Sequence, residues 1–371
     1  MKGNARRQLL KVSAVLALVT GGTLGGFQPL SAVQTASAAA VSQAQNQLQS
    51  QLFQALSARK DSVNLTYAGG INELKAAIEP ALESAIAQDP YIHYTMKGYA
   101  YSLRGSSSAS TAAVKLTYRE TAEQSAYVHQ KVASVLKEIV TPDMNDDMKV
   151  KAIHDWIVRN LKYDTTLSKF TAYEGLKTGS TVCQGYALLT YDMLKQAGFE
   201  TNIVEGYVEN EAHAWNMVKL DGKWYQIDTT WDDPVPDRGD RVSTAYYLVT
   251  DEQLKRDHTW KTADYPKAVT PYNEALNVLV ARGVAGAKEL RASLGYSASS
   301  NSLVSTASVL QRIVKEADSD GQNSLTFRYQ GTKTKLKKDL LTLYNHGVSP
   351  IGYTSKSLGS ARGLQITLYW K

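Results

Sequence analysis

Cys183 is the only cysteine in a chain of 371 residues. It stands in Thr181-Val182-Cys183-Gln184-Gly185-Tyr186-Ala187. His213 follows in His213-Ala214-Trp215-Asn216, and Asp228 in Ile227-Asp228-Thr229-Thr230-Trp231-Asp232-Asp233-Pro234. A thiol, an imidazole and a carboxylate in that order can supply a nucleophile, a base and a group that orients the base. A lone cysteine makes no intramolecular disulfide, so stapling does not account for it. Singly, these residues read as a small core residue, a strand histidine and a turn aspartate. Their order and local settings together point to chemistry.

Each residue needs an element to position it. Thr181 and Gln184 fit a capping box, with Thr181 as N-cap, and Leu188, Tyr191 and Leu194 continue at helical spacing to a stop at Gly198. Cys183 would then be the second residue of a helix, where unpaired backbone N–H groups and the helix dipole favour a thiolate and can receive an oxyanion. Ala212 to Leu220 and Lys223 to Thr229 read as strands around Asp221-Gly222, a type I′ turn signal. With a two-residue loop, Trp215 pairs with Asp228, and His213 becomes a diagonal neighbour of Asp228 on the same face. That spacing is roughly 7–8 Å between backbones, within reach of a carboxylate–imidazole bond. A one-residue slip would separate them.

On these stretches, together with Ile153-His154-Asp155-Trp156-Ile157, Tyr163-Asp164 and Gly222-Lys223-Trp224-Tyr225, residues from about 146 to 260 resemble the transglutaminase-like superfamily, a papain-related group. The resemblance implies that Cys183 is the nucleophile, His213 the base and Asp228 the orienter. It does not choose among cross-linking, deamidation and proteolysis, and the superfamily includes inactive forms. A second oxyanion donor is open among Trp215, Tyr173 and Gln184.

The ends and the charge bound the class. Lys2, Arg6 and Arg7 precede an apolar stretch from Leu9 to Val19, and Ala36-Ser37-Ala38 is a cleavage-type triplet, so residues 1–38 read as a signal peptide. Arg6-Arg7 also fits a twin-arginine signal, and an ordinary basic leader fits as well. No later run approaches the ~20 apolar residues of a transmembrane helix. The chain has 41 basic and 35 acidic residues, a net +6. Lys2, Arg6, Arg7 and Lys11 fall in the leader, which leaves 37 against 35, or +2. Residues 272–371 hold 13 basic and 6 acidic residues, or +7, and residues 39–271 are at −5. A basic tail region on an exported chain suits an anionic cell-wall polymer, although a solvated charged face reads equally well. No aromatic–basic pattern suggests nucleic acid. None of the 6 histidines has a second His or Cys at ligand spacing, and no Asp/Glu-rich calcium loop occurs, so neither metal nor cofactor is expected.

The chain also repeats around its centre. Leu65 to Gly69, a helix from Ile71, Tyr99 to Leu103, a Ser-rich turn and Val114 to Tyr118 are matched by Phe327 to Gly331, a helix from Leu336, Tyr353 to Leu358, a Gly/Ser turn and Leu364 to Trp370. Amphipathic helices at Leu48 to Leu56 and Val309 to Val314 precede them. Asp264 to Pro271 reads as a linker, and Tyr272 to Leu294 as two short helices parted at Gly283.

The expected fold is α+β: a transglutaminase/papain-like core, with a Cys-bearing helix on an antiparallel sheet carrying His and Asp, flanked by small α+β units. The expected division is a signal peptide (1–38), an N-terminal unit (39–122), a catalytic core (123–265) and a basic C-terminal region (266–371). The expected function is an exported, secreted or surface-associated cysteine acyl-transfer enzyme acting on protein or peptide amides by cross-linking or deamidation. The alternatives are a cysteine peptidase acting on cell-wall or surface peptides, and an inactive surface-binding protein.

Overall fold

A computed structural model of the chain describes residues 38–233, 242–296, 304–319, 321–357 and 363–371. The expected leader up to residue 37, Pro234, the Ser-rich stretch at 297–302, and Leu358 with the expected turn after it lie outside the described residues. The chain divides into two compact units, Met1–Val132 with Asp164–Asp192, and Ala133–Tyr163 with Met193–Lys371. Cys183 belongs to the first, and His213 and Asp228 to the second. Among the described residues, no helix is long and apolar enough to cross a membrane.

In the first unit, helices Ala38–Ser57 and Ile71–Ala87 pack with a three-stranded sheet of Ser62–Tyr67, Met96–Gly105 and Ser110–Tyr118. The last strand lies in the middle and is antiparallel to both neighbours. Its residues alternate between buried and exposed, the period-2 signature of a sheet with one covered face. Ala112, Val114 and Leu116 meet Leu48, Leu52, Leu74, Ile78 and Leu82 in one core.

The C-terminal part of the second unit repeats this topology. Helix Ala307–Ser319 leads to strand Ser324–Tyr329, helix Lys333–Leu341 and strands Pro350–Ser357 and Leu364–Trp370, and the last strand is again central. The two copies share a Tyr-x-Gly device at the end of their first strands. A Cβ on Gly69 would overlap the ring of Tyr67, and one on Gly331 would crowd the ring of Tyr329. Each ring turns back over its glycine and donates its hydroxyl hydrogen to an acid on the following helix, Glu73 or Asp339.

The remaining sheet of the second unit holds the histidine. Its order is Lys223–Ile227, Glu211–Leu220, Thr201–Val208, His258–Trp260, all antiparallel. Asp221 and Gly222 have φ of 47° and 73°, the paired positive values of a type I′ turn, and Leu220 pairs with Lys223 as the loop length predicts. Helix Asp146–Asn160 starts at Asn145, whose side chain accepts from the Met148 N–H, and buries Val150, Ile153 and Ile157.

The segment expected as a linker, 264–271, instead packs into this unit. Ala268 is buried in a cluster with Val204, Trp215 and Leu254, its carbonyl accepts from the Asp251 N–H, and the Tyr265 hydroxyl accepts from the Glu205 N–H. Pro266 follows the end of a short turn at Thr262–Asp264 and Pro271 precedes the helix Tyr272–Ala281, so the two prolines bound regular structure without detaching the chain. The two short helices that follow, Tyr272–Ala281 and Ala287–Ser293, are parted at Gly283.

Candidate active site

Cys183 is the first residue of helix Cys183–Gln196. The Val182 carbonyl accepts from the Gly185 and Tyr186 N–H groups, so Val182 is the last residue before the helix. The expected capping box is not formed. Thr181 donates its hydroxyl to the carbonyls of Lys169 (3.1 Å) and Thr171 (3.4 Å), and Gln184 donates to the Tyr94 carbonyl (2.9 Å). Tertiary acceptors outcompete the helix end for both side chains. A side chain at Gly185 would overlap that of Thr181, which explains a glycine in the first helical turn. The helix is buried on nearly every side, with Tyr186, Leu188, Leu189, Met193 and Leu194 inaccessible. It ends with the Gly198 and Phe199 N–H groups on the Lys195 and Leu194 carbonyls, a Schellman motif.

Asp164 holds the approach to the cysteine. Its carboxylate accepts from the backbone N–H groups of Thr166, Ser168 and Lys169 and from both hydroxyls. Burial pushes its pKa up, but these bonds outweigh it and keep the group well below the usual carboxylate range. The folded loop presents the Lys169 carbonyl to the Val182 N–H and the Thr181 hydroxyl.

His213 and Asp228 meet as the register predicts. His213 Nε2 lies 2.7 Å from Asp228 Oδ2. The imidazole is buried, 7% exposed, and stacks on Trp215 at 5.7 Å between ring centroids. Trp231 approaches it edge-on at 6.4 Å and remains 37% exposed. The other Asp228 oxygen accepts from the N–H groups of Thr230 (2.9 Å) and Trp231 (3.0 Å). Burial raises the Asp228 pKa, yet the charge of His213 and hydrogen bonds from two histidines hold the carboxyl far below its ordinary value. Trp215 donates its only side-chain N–H to Gln226 at 2.8 Å, so its indole is not an oxyanion donor.

Two histidines escaped the reading of the sequence as site neighbours. His258 places Nε2 3.0 Å from the same Asp228 Oδ2, and its Nδ1 2.7 Å from Asp257. His154 bonds Asp155 through Nδ1 (2.9 Å) and Asp232 through Nε2 (3.1 Å). Both are wholly buried. The available signal was an aspartate adjacent in the chain to each, Asp257 and Asp155, which sets Nδ1 and aims Nε2 elsewhere. Among the described residues, His213, Asp228 and His258 bring three ligand-type atoms within 4.8 Å of one another. Both imidazoles direct Nε2 at Asp228.

These residues lie in and around a recognisable region. Residues 133–229 match the transglutaminase-like superfamily. Kyphoscoliosis peptidase of Mus musculus is 25% identical over 177 residues, covering 39% of this chain and 27% of that protein. The Homo sapiens protein of the same name is 32% identical over 118 residues, covering 27% of this chain and 17% of that protein. A solved TGase structure aligns with a TM-score of 0.29 and 15% identity over 38% of this chain and 46% of its own. The chain thus carries, over residues 133–229, a domain of the transglutaminase-like superfamily.

Proposed function

We propose that this protein is an exported cysteine acyl-transfer enzyme with Cys183 as nucleophile, His213 as base and Asp228 as its orienter. The observation that carries the reading is the 2.7 Å bond from His213 Nε2 to a buried Asp228, inside a transglutaminase-like domain that also holds the only cysteine. With Nε2 bound to Asp228, Nδ1 is the ring nitrogen assigned to the thiol. The Cys183 thiolate attacks the carbon of a side-chain carboxamide. The C–N bond breaks, and the nitrogen leaves as ammonia with the proton from His213. The thioester then passes its acyl group to a lysine amine, giving a cross-link, or to water, giving a carboxylate. Backbone N–H groups at the start of the Cys183 helix receive the oxyanion.

A second reading is a cysteine peptidase acting on surface or cell-wall peptides, favoured by the peptidase names of the curated relatives. Incubation with a peptide carrying glutamine, together with a lysine-like amine, separates the two. Isopeptide-linked or deamidated product sustains acyl transfer, and new peptide termini sustain proteolysis. If Cys183 forms no thioester with any donor by mass spectrometry, the protein is a non-catalytic surface binder. Export and attachment to anionic wall polymer through the +7 C-terminal region are part of the proposal. Loss of residues 272–371 should release the protein from isolated walls, and raised salt should weaken binding by the full chain. Equal sedimentation with and without this region would overturn the attachment.

A further inference from the structure

His258 is a buried histidine for which the triad has no task. It sits between two carboxylates, Nδ1 at 2.7 Å from Asp257 Oδ1 and Nε2 at 3.0 Å from Asp228 Oδ2. A neutral imidazole has one N–H and one lone pair. It could donate to only one of these oxygens and would turn a lone pair towards the other at contact distance. Asp257 also accepts from the Tyr246 hydroxyl at 2.7 Å, and the second oxygen of Asp228 accepts two backbone N–H groups. Both acids are therefore surrounded by donors, and the arrangement is satisfied when His258 carries a proton on each nitrogen.

Titratable groups from several elements face His258. Asp228 follows one strand, His213 lies on the next with its ring centroid 5.5 Å away, and Asp257 precedes His258 itself. Tyr246 lies at 5.4 Å, and the uncharged indoles of Trp215 and Trp231 at 5.1 and 5.3 Å. Two imidazoles thus share a single oxygen of Asp228, at 2.7 and 3.0 Å.

We propose that His258 is a positioning residue for the reaction: as an imidazolium clamped between Asp257 and Asp228, it keeps Asp228 ionised and divides that carboxylate with His213, so that His213 gives up its proton more readily than it would beside an undivided carboxylate. The inference rests on the reading of His213 as the base. Burial disfavours charge on His258, but its bonds to Asp228 and Asp257 reverse that and raise its pKa, whereas His213 lowers it. The repulsion is mutual, so His258 acts on His213 in the same sense. Without this cation, Asp228 and Asp257 would both stabilise protonated His213. The base would then hold its proton to higher pH and return it to the leaving group more slowly.

The test uses the full chain with histidine labelled by nitrogen-15 and carrying Cys183→Ala, which silences the thiol. Ring-nitrogen shifts are followed against pH in this parent and with Asp257→Asn or His258→Gln added. Asp257→Asn is nearly isosteric and keeps an acceptor for His258 Nδ1, so it serves if His258→Gln does not fold. The expected result is a doubly protonated His258 at neutral pH in the parent, a His258 that has lost its second proton at that pH in Asp257→Asn, and His213 titrating at higher pH in either variant. The alkaline limb of turnover on a glutamine peptide should move the same way in the Cys183 protein carrying Asp257→Asn, by on the order of one pH unit. A merely structural role would lower the rate without moving that limb. A neutral His258 in the parent, or an unmoved His213, overturns the proposal. A His213 that moves while the limb of turnover stays fixed upholds the coupling but overturns the assignment of His213 as base.

Discussion

Asp228 and Asp232 are two buried carboxylates four residues apart, and they are built alike. Each takes Nε2 of a wholly buried histidine whose Nδ1 is clamped by its chain neighbour, His258 with Asp257 in one case and His154 with Asp155 in the other. Each also accepts two backbone N–H groups, those of Thr230 and Trp231 for Asp228 and those of Ala245 and Tyr246 for Asp232. The difference is one further imidazole: Asp228 also holds His213. The Asp232 centre ties helix Asp146–Asn160 to the segment around Tyr246 and is complete as structure. The Asp228 centre is the same lock with one bond directed to a histidine on an inner strand of the four-stranded sheet. On the proposed reading, a scaffold for buried charge becomes a site through a single added imidazole.

If that distinction holds, the largest effect comes from His213→Ala and Cys183→Ala. Each should lower turnover of a glutamine peptide by at least about 10³-fold, with thermal unfolding of Cys183→Ala shifted by no more than a few degrees. Substantial activity in either variant would remove that residue from the chemistry and erase the functional half of the comparison.

Asp228→Asn should come next, with a loss between about 10²- and 10⁴-fold and some residual turnover, since an orienter is partly dispensable. Asp232→Asn and His154→Ala should differ from it in sparing the rate. Removing one partner of a buried pair leaves the other unmatched, at about 3–5 kcal/mol of stability, while the rate per folded molecule stays within a few-fold. Urea unfolding paired with active-site titration separates the two quantities. A large kinetic loss for Asp232→Asn at full stability would mean that both centres serve the reaction.

A smaller effect sharpens the contrast through pH. Burial pushes the His154 pKa down, but Asp155 and Asp232 overcome this and raise it. Burial likewise opposes the charge on Asp155, yet its bonds and charge contacts with His154 and Lys151 lower its pKa to about 2. The histidine therefore contributes stability that is full below about pH 6.5, the unfolded value, and is lost as pH rises through its folded pKa. Asp155 contributes stability that is full above about pH 3.9 and is lost as pH falls towards 2. The stability difference between the natural protein and His154→Ala should be greatest between about pH 4 and 6.5 and shrink on the alkaline side. A difference that grows with rising pH would show that His154 is buried neutral.

The features legible in the sequence were those governed by neighbours along the chain. Asp221-Gly222 sets a two-residue type I′ turn, and the two-residue period of strands then puts His213 and Asp228 on one face, so the hairpin register followed without the fold. The repeated strand–helix–strand–strand pattern was legible for the same reason, since alternation and helical spacing are local. Only the tertiary structure decided which polar groups would share burial. His258 reaches Asp228 across 30 residues and His154 reaches Asp232 across 78, and no periodicity links such positions. The same cause redirected Thr181 and Gln184 from a local helix cap to the carbonyls of Lys169, Thr171 and Tyr94. It also drew Ala268 into the core from a segment whose prolines read as a linker. Local rules rank the bonds a side chain can make with its own neighbourhood, but in a buried setting every donor and acceptor must be matched, and the partners that match them are chosen by the packing of distant segments.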